Sequence, residues 1–248
     1  MSADAWTEIT LAGHTCEVFR PAKRHPQGFV VIYLHGVHRQ RLGDHPKFLQ
    51  PFADRGFSVV CPSTGPHWWL DMICPDFDPV LTPERFVVDH VLPWIETELG
   101  VAPPNIALLG TSMGGQGALR FAYKQPRTFP VVAAISPAID FHNRWQQGDE
   151  TLQTLFPTAE AARQQTALLY AQGFNCPAHQ FFCCDPEDEE WWEGADRLRM
   201  KLYSMGIQFE CDLETRGGGH GFEYYTVMAS RTAEFLDERL EQKRRTLQ

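Results

Sequence analysis

The sequence predicts one α/β domain built on a mostly parallel central sheet with helices on both faces. Three observations carry that prediction. Continuous apolar runs at Phe29-Val30-Val31-Ile32-Tyr33-Leu34, Ile106-Ala107-Leu108-Leu109 and Val131-Val132-Ala133-Ala134-Ile135 have the composition of strands buried on both sides. Segments with helical spacing alternate with these runs along the whole length, the order that crossovers between parallel strands require. No Ser/Gly run, repeat or low-complexity tract divides the 248 residues, so a single domain is expected over 1–248.

In chain order, residues 6–11 and 15–20 alternate weakly and are expected as two short edge strands joined at Gly13-His14. The run 29–34 is a central strand that ends in His35-Gly36-Val37. A helix is expected from Pro46 to Asp54, stopped at Gly56, followed by a strand over 57–61 broken at Pro62. Residues 63–79 show no period and are rich in Pro, Trp and Asp, the mark of a long functional loop. Thr82-Pro83-Glu84-Arg85 supplies a cap, a first-turn proline and an early acid for a helix running to Leu99, closed at Gly100 and kinked at Pro93. After the strands at 106–109 and 131–135, residues 138–175 break the rhythm. They are expected as a lid-like insertion over the sheet edge with one amphipathic helix from about Thr158 to Gln172. Gln180 to Cys184 is a further strand, Trp191 to Met205 a helix ended by Gly206, Ile207 to Leu213 a strand, and a helix after Gly221 runs through Leu240.

Composition narrows the function. Lys plus Arg total 22 against 31 Asp plus Glu, a net charge of −9, which argues against a surface that tracks nucleic-acid phosphates. The amino terminus has neither a basic start nor an apolar run, and no apolar segment is long enough to span a bilayer, so no leader, anchor or membrane partner is expected. Seven scattered cysteines without Cys-x-x-Cys pairs fit buried free thiols in a reducing cytoplasm. His35, His38, Asp44 and His45 are metal-ligand types on one irregular loop, but they lack tight pairing and no metal is expected there.

The most informative stretch is Ile106 to Leu119, where a buried strand runs into Gly110-Thr111-Ser112-Met113-Gly114 and then into helical spacing. A turn this tight crowds its flanks, so glycines stand on either side and the Ser112 hydroxyl projects clear of the sheet. The Met113 amide then lies at a helix N-terminus, where a developing oxyanion is stabilised. Ser112 is the candidate nucleophile; a helix cap at Thr111 or Ser112 is the plainer role. A serine hydroxyl needs a base, and His220, in the loop Arg216-Gly217-Gly218-Gly219-His220-Gly221 past a strand, is the candidate. Its plainer role is an exposed residue in a flexible turn. The orienting acid is expected in Cys184-Asp185-Pro186-Glu187-Asp188, with Asp188 preferred because it lies past the strand end and Asp185 as the alternative. A second oxyanion donor is expected from the Val37 amide, with Gly36 keeping the approach open and His35 bonded within its own loop. Trp68 and Trp69, with Trp145, are candidates for lining an acyl or aryl pocket, against the ordinary fate of tryptophan in a core.

Together these motifs resemble the α/β-hydrolase superfamily, and within it the esterase branch grouped with esterase D (S-formylglutathione hydrolase) and the feruloyl and acetyl-xylan esterases. The resemblance spans about residues 28–240. It implies a Ser112-Asp188-His220 triad, an oxyanion hole from the amides of Val37 and Met113, hydrolysis of a small-molecule ester through an acyl-enzyme, no cofactor, and a homodimer. Two departures stand out: the acid segment reads Cys184-Asp185-Pro186-Glu187-Asp188 where many relatives have a glycine before the acid, which leaves Asp185 in play, and the 138–175 segment differs enough that no relative's substrate transfers. Thioesterase, small-peptide hydrolase and acyl-transfer activities use the same machinery, and a silent scaffold of the same fold is the alternative from another class.

Overall fold

The computed structural model describes residues 3–246; Met1 and Ser2, part of the amino-terminal stretch considered for a leader, lie outside the described residues. Eight strands form one sheet in the order β1-β2-β4-β3-β5-β6-β7-β8. β1 (Ala5–Leu11) and β2 (His14–Arg20) form an antiparallel hairpin whose turn is Ala12-Gly13, both at positive φ. Only β1 is an edge. β2 pairs antiparallel with β4 (Ser58–Pro62) as well, because Cys16 and Val18 are apolar enough to be buried completely. From β4 onward, β3 (Val30–Leu34), β5 (Ile106–Thr111), β6 (Val131–Ile135), β7 (His179–Cys183) and β8 (Glu210–Asp212) run parallel.

The central strands β3, β5 and β6 are buried at every position because both faces are covered. Val30, Ile32, Leu34 and Leu108 face one core, which is closed by the helices over 83–99, 113–124 and 192–204. Val31, Tyr33, Ala107 and Leu109 face the other, closed by α1 (Pro46–Asp54) and α10 (Phe222–Arg245). Cys183 and Cys184 divide between these two cores, as the period-two geometry of a strand demands.

The rod over 83–99 is capped by Thr82, whose Oγ1 accepts the Arg85 amide at 3.1 Å, and closes at Gly100 with φ 69°. It continues through Pro93. Its hydrogen-bond ladder starts as α2 (Pro83–Arg85), widens to π geometry over Phe86–Val91, narrows at α3 (Leu92–Trp94) and widens again over Ile95–Leu99. A wider ladder is one way for a helix to absorb a residue that brings no N–H.

Residues 138–175 differ from the single helix expected near 158–172. They form four short helices: α5 (Phe141–Gln146), α6 (Glu150–Leu155), α7 (Ala159–Arg163) and α8 (Ala167–Tyr170). Capping residues punctuate the segment. Asp140, Asp149 and Thr158 accept the amides of Asn143, Leu152 and Ala161 at 3.0, 2.9 and 3.1 Å, each starting a new helix. The segment packs on α4 (Met113–Lys124), the helix behind Ser112: Gln116 Oε1 accepts the Ala167 amide at 2.6 Å, and buried Arg120 donates to Gln165 Oε1 at 2.9 Å. Ion pairs of Arg144 with Glu190 and of Asp140 with Arg197 tie it to the loop after β7 and to α9 (Trp192–Ser204).

Candidate active site

β5 ends at Thr111 and α4 begins at Met113, leaving Ser112 alone to make the turn. It does so at φ 54° and ψ −121°, a conformation that L-residues rarely adopt and that costs about 1–3 kcal/mol. The surroundings hold it there: Ser112 N donates to Ile135 O at 3.0 Å, and Ser112 O accepts from Ala138 N at 3.0 Å and Gln116 N at 3.2 Å. A Cβ on Gly110 would run into the Gly114 backbone, and one on Gly114 into the Leu34 carbonyl. Both flanking glycines are therefore steric requirements of the turn.

His220 reaches the serine from the loop before α10, with Nε2 2.9 Å from Ser112 Oγ. Its Nδ1 lies 2.6 Å from Asp188 Oδ2, across 32 residues of chain. Asp188 is almost wholly buried, and its other oxygen accepts the Trp191 amide at 3.2 Å, which fixes the plane of the carboxylate. The Cys184 thiol donates to Asp188 Oδ2 at 3.6 Å; burial raises that thiol, so it stays neutral beside the acid. A carboxylate on Nδ1 holds the ring proton there and leaves the Nε2 lone pair for the Ser112 proton.

Asp185, the alternative acid, does something else. Its Oδ1 accepts the Glu187 amide at 2.8 Å, and its Oδ2 accepts the Gly217 and Gly219 amides at 2.6 and 2.9 Å. Burial alone would raise this carboxyl, but the amides of Glu187, Gly219 and Gly217 hold it below the ordinary carboxylate range. It clamps the histidine loop to the acid loop and makes no contact with the His220 ring.

The loop after β3 comes within van der Waals reach of Ser112: a methyl on Gly36 would stand 3.3 Å from Ser112 Cβ. The His35 ring is fixed inside this loop. Its Nε2 accepts the Thr64 amide at 3.1 Å, so Nδ1 carries the proton and donates to Gly36 O at 2.8 Å. Burial pushes its pKa down to about 4, so the ring is neutral through the physiological range. The neighbouring His35 carbonyl accepts Trp69 Nε1 at 3.0 Å. These bonds fix the His35-Gly36 backbone beside Ser112.

Both tryptophans are buried. Trp69 is fully buried between the His35 loop and α4, where its Cβ fills the space opened by Gly117. Trp68 is buried with its ring against Phe141 at 4.8 Å and Trp191 at 6.3 Å. Both have positive φ, 58° and 54°, because the loop turns inward at this point to bury two large side chains in succession. Trp145, partly buried, donates its Nε1–H to Phe156 O at 2.9 Å. Sequence reasoning missed Tyr225, whose hydroxyl stands 3.1 Å from His220 Nε2. Its position five residues after the histidine, inside a helix, carries no signal that sets it apart from a core aromatic.

A protein-family model described as "Putative esterase" matches residues 81–225, more than half of the chain and including Ser112, Asp188 and His220. No curated protein matches the sequence. Among solved structures, a ferulic acid esterase aligns at 18% identity with a TM-score of 0.75, covering 96% of this chain and 99% of its own. An S-formylglutathione hydrolase from Agrobacterium tumefaciens aligns at 17% identity and TM-score 0.75, covering 96% and 94%. Another from Staphylococcus aureus aligns at 13% identity and TM-score 0.76, covering 95% and 100%. At these identities the likeness shows the fold, that of the α/β-hydrolases. No helix among the described residues is long and apolar enough to cross a membrane.

Proposed function

The chain belongs to the esterase family just described, and from that premise we propose that it is a serine hydrolase cleaving small carboxylic esters through Ser112, His220 and Asp188. The observation that carries this reading is the unbroken hydrogen-bond chain from Ser112 Oγ through His220 to Asp188 Oδ2, at 2.9 and 2.6 Å. His220 Nε2 takes the Ser112 proton as Oγ attacks the ester carbonyl carbon. Asp188 stabilises the resulting imidazolium, and the carbonyl oxygen, now an oxyanion, is received by the amides of Val37 and Met113. His220 then gives the proton to the departing alkoxide, leaving an acyl group on Ser112. Water, deprotonated by the same nitrogen, attacks the acyl carbonyl and regenerates the serine. No metal or organic cofactor enters these steps.

Ser112 is 7% exposed and the His220 side chain 29% exposed, an opening suited to the carbonyl of a small molecule. Seven free cysteines, five of them buried, fit a reducing compartment, and we assign the protein to the cytoplasm on that basis. The test is hydrolysis of p-nitrophenyl acetate. Turnover by the wild type, abolished in Ser112→Ala with folding intact, is the expected result; an inert wild type, or a Ser112→Ala variant that retains the rate, contradicts the reading.

A further inference from the structure

His220 Nε2 has two hydroxyl neighbours. Ser112 Oγ lies at 2.9 Å and Tyr225 Oη at 3.1 Å. With Nδ1 protonated toward Asp188, the neutral ring offers one lone pair at Nε2 for these two hydroxyls, so one of them has no acceptor there. Once His220 has taken the serine proton the count reverses: Nε2 becomes a donor, Oγ is committed to the carbonyl carbon, and the Tyr225 oxygen has a free lone pair. We propose that Tyr225 is a further residue of the catalytic centre, its hydroxyl oxygen accepting the Nε2–H of the His220 imidazolium formed in each proton transfer. This rests on the triad reading above and extends it to a fourth side chain.

The setting fits the role. Tyr225 is 4% exposed, with its ring edge-on to His220 at 5.8 Å and to Phe222 at 5.2 Å, so the hydroxyl is held in place by packing. Burial raises its phenol well above the ordinary range, so it remains protonated and neutral while it accepts. The titratable groups facing this pair are Asp188 on Nδ1, Cys184 behind Asp188, and Tyr33, whose hydroxyl is bonded to Thr111 Oγ1 at 2.8 Å. Burial raises both the Cys184 thiol and the Tyr33 phenol, so they contribute no charge. At the rim of the histidine loop stand the Arg216–Glu187 pair and Glu223, which lies against Gly218. A hydrogen bond to a charged donor is about twice as strong as a neutral one, so Tyr225 favours the protonated ring over the neutral one.

Tyr225→Phe keeps the ring packing and removes the hydroxyl. The acid limb of the kcat/KM profile for p-nitrophenyl acetate is then expected to move to lower pH by about one unit, with about a tenfold loss of kcat/KM above the limb. A limb that stays in place overturns the inference, because a merely structural hydroxyl changes the amount of folded enzyme and leaves the profile where it was. Should Tyr225→Phe fail to fold, 3-fluorotyrosine at position 225, a weaker acceptor, is expected to move the limb the same way by a smaller amount; an unmoved limb again overturns it. An inert wild type would refute the esterase reading separately, and the hydroxyl is then tested without substrate. In protein labelled with 15N at histidine, the pH at which the His220 ring signals move is lower in Tyr225→Phe if the inference holds and unchanged if it does not.

Discussion

Replacing Asp188 by Asn tests the division of labour between the two acids more sharply than any deletion does. Asp188 Oδ1 is committed to the Trp191 amide at 3.2 Å, and Oδ2 faces His220 Nδ1 at 2.6 Å. An Asn that keeps its single oxygen on Trp191 must turn its NH2 toward Nδ1. Two donors then face each other unless His220 moves its proton to Nε2, and an Nε2 that carries a proton cannot accept the one on Ser112. The variant therefore loses the acid's charge and gains the wrong tautomer, a combination worth about 10³–10⁴ in kcat, or about 4–5 kcal/mol of barrier. Asp185→Asn fails differently. One oxygen cannot serve the Glu187 amide and the Gly217 and Gly219 amides at once, so at least one of these amides loses its partner at about 1–3 kcal/mol. That cost falls on stability, with a smaller loss of kcat as the histidine loop loosens. Steady-state hydrolysis of p-nitrophenyl acetate and urea unfolding of both variants separate the two effects. A larger kcat loss in Asp185→Asn than in Asp188→Asn would refute the assignment of roles.

Three further outcomes follow from the same geometry. Trp69→Phe keeps the buried ring but leaves the His35 carbonyl without its donor, so it should cost about 1–3 kcal/mol in urea unfolding and lower kcat more than it raises KM. Gly114→Ala drives a methyl into the Leu34 carbonyl and should destabilise by about 3 kcal/mol or more, read as a lost or lowered thermal transition. The Asp185 carboxyl is held below its unfolded value, so the stability it supplies is complete above about pH 4 and is lost as pH falls through its folded value. Asp185→Asn should accordingly flatten the fall in unfolding free energy on the acid side of pH 4, measured as urea midpoints against pH.

Elements governed by local rules were legible in the sequence. The strand Val131–Ile135 and the helix Pro46–Asp54 fall on their expected residues, because an apolar run buried on both faces and a proline-started, glycine-stopped helix are written locally. Ser112, His220 and Asp188 could be listed for the same reason: strand ends in a parallel sheet gather at one edge, so chain order and spacing narrow the choice. What depends on approach in space was not legible. The segment 138–175 reads as one helix from about Thr158 to Gln172, but that span breaks after Arg163 and restarts at Ala167, and caps at Asp140 and Asp149 start two more helices ahead of it. Trp68 and Trp69 follow a proline-rich loop that reads as surface, and the space Gly117 leaves on α4 draws the second of them inward. The grip of Asp185 on two glycine amides and the approach of Tyr225 to Nε2 join residues whose spacing has no period to betray them.

The proposed mechanism requires that Ser112 Oγ become covalently acylated because His220 removes its proton. Acid quenching during turnover of p-nitrophenyl acetate, followed by peptide mass spectrometry, tests it directly. An acetyl group on Ser112 in the wild type, absent from His220→Ala quenched at the same time, is the predicted result. Turnover with no adduct at Ser112, or an adduct that forms just as fast without His220, would contradict it.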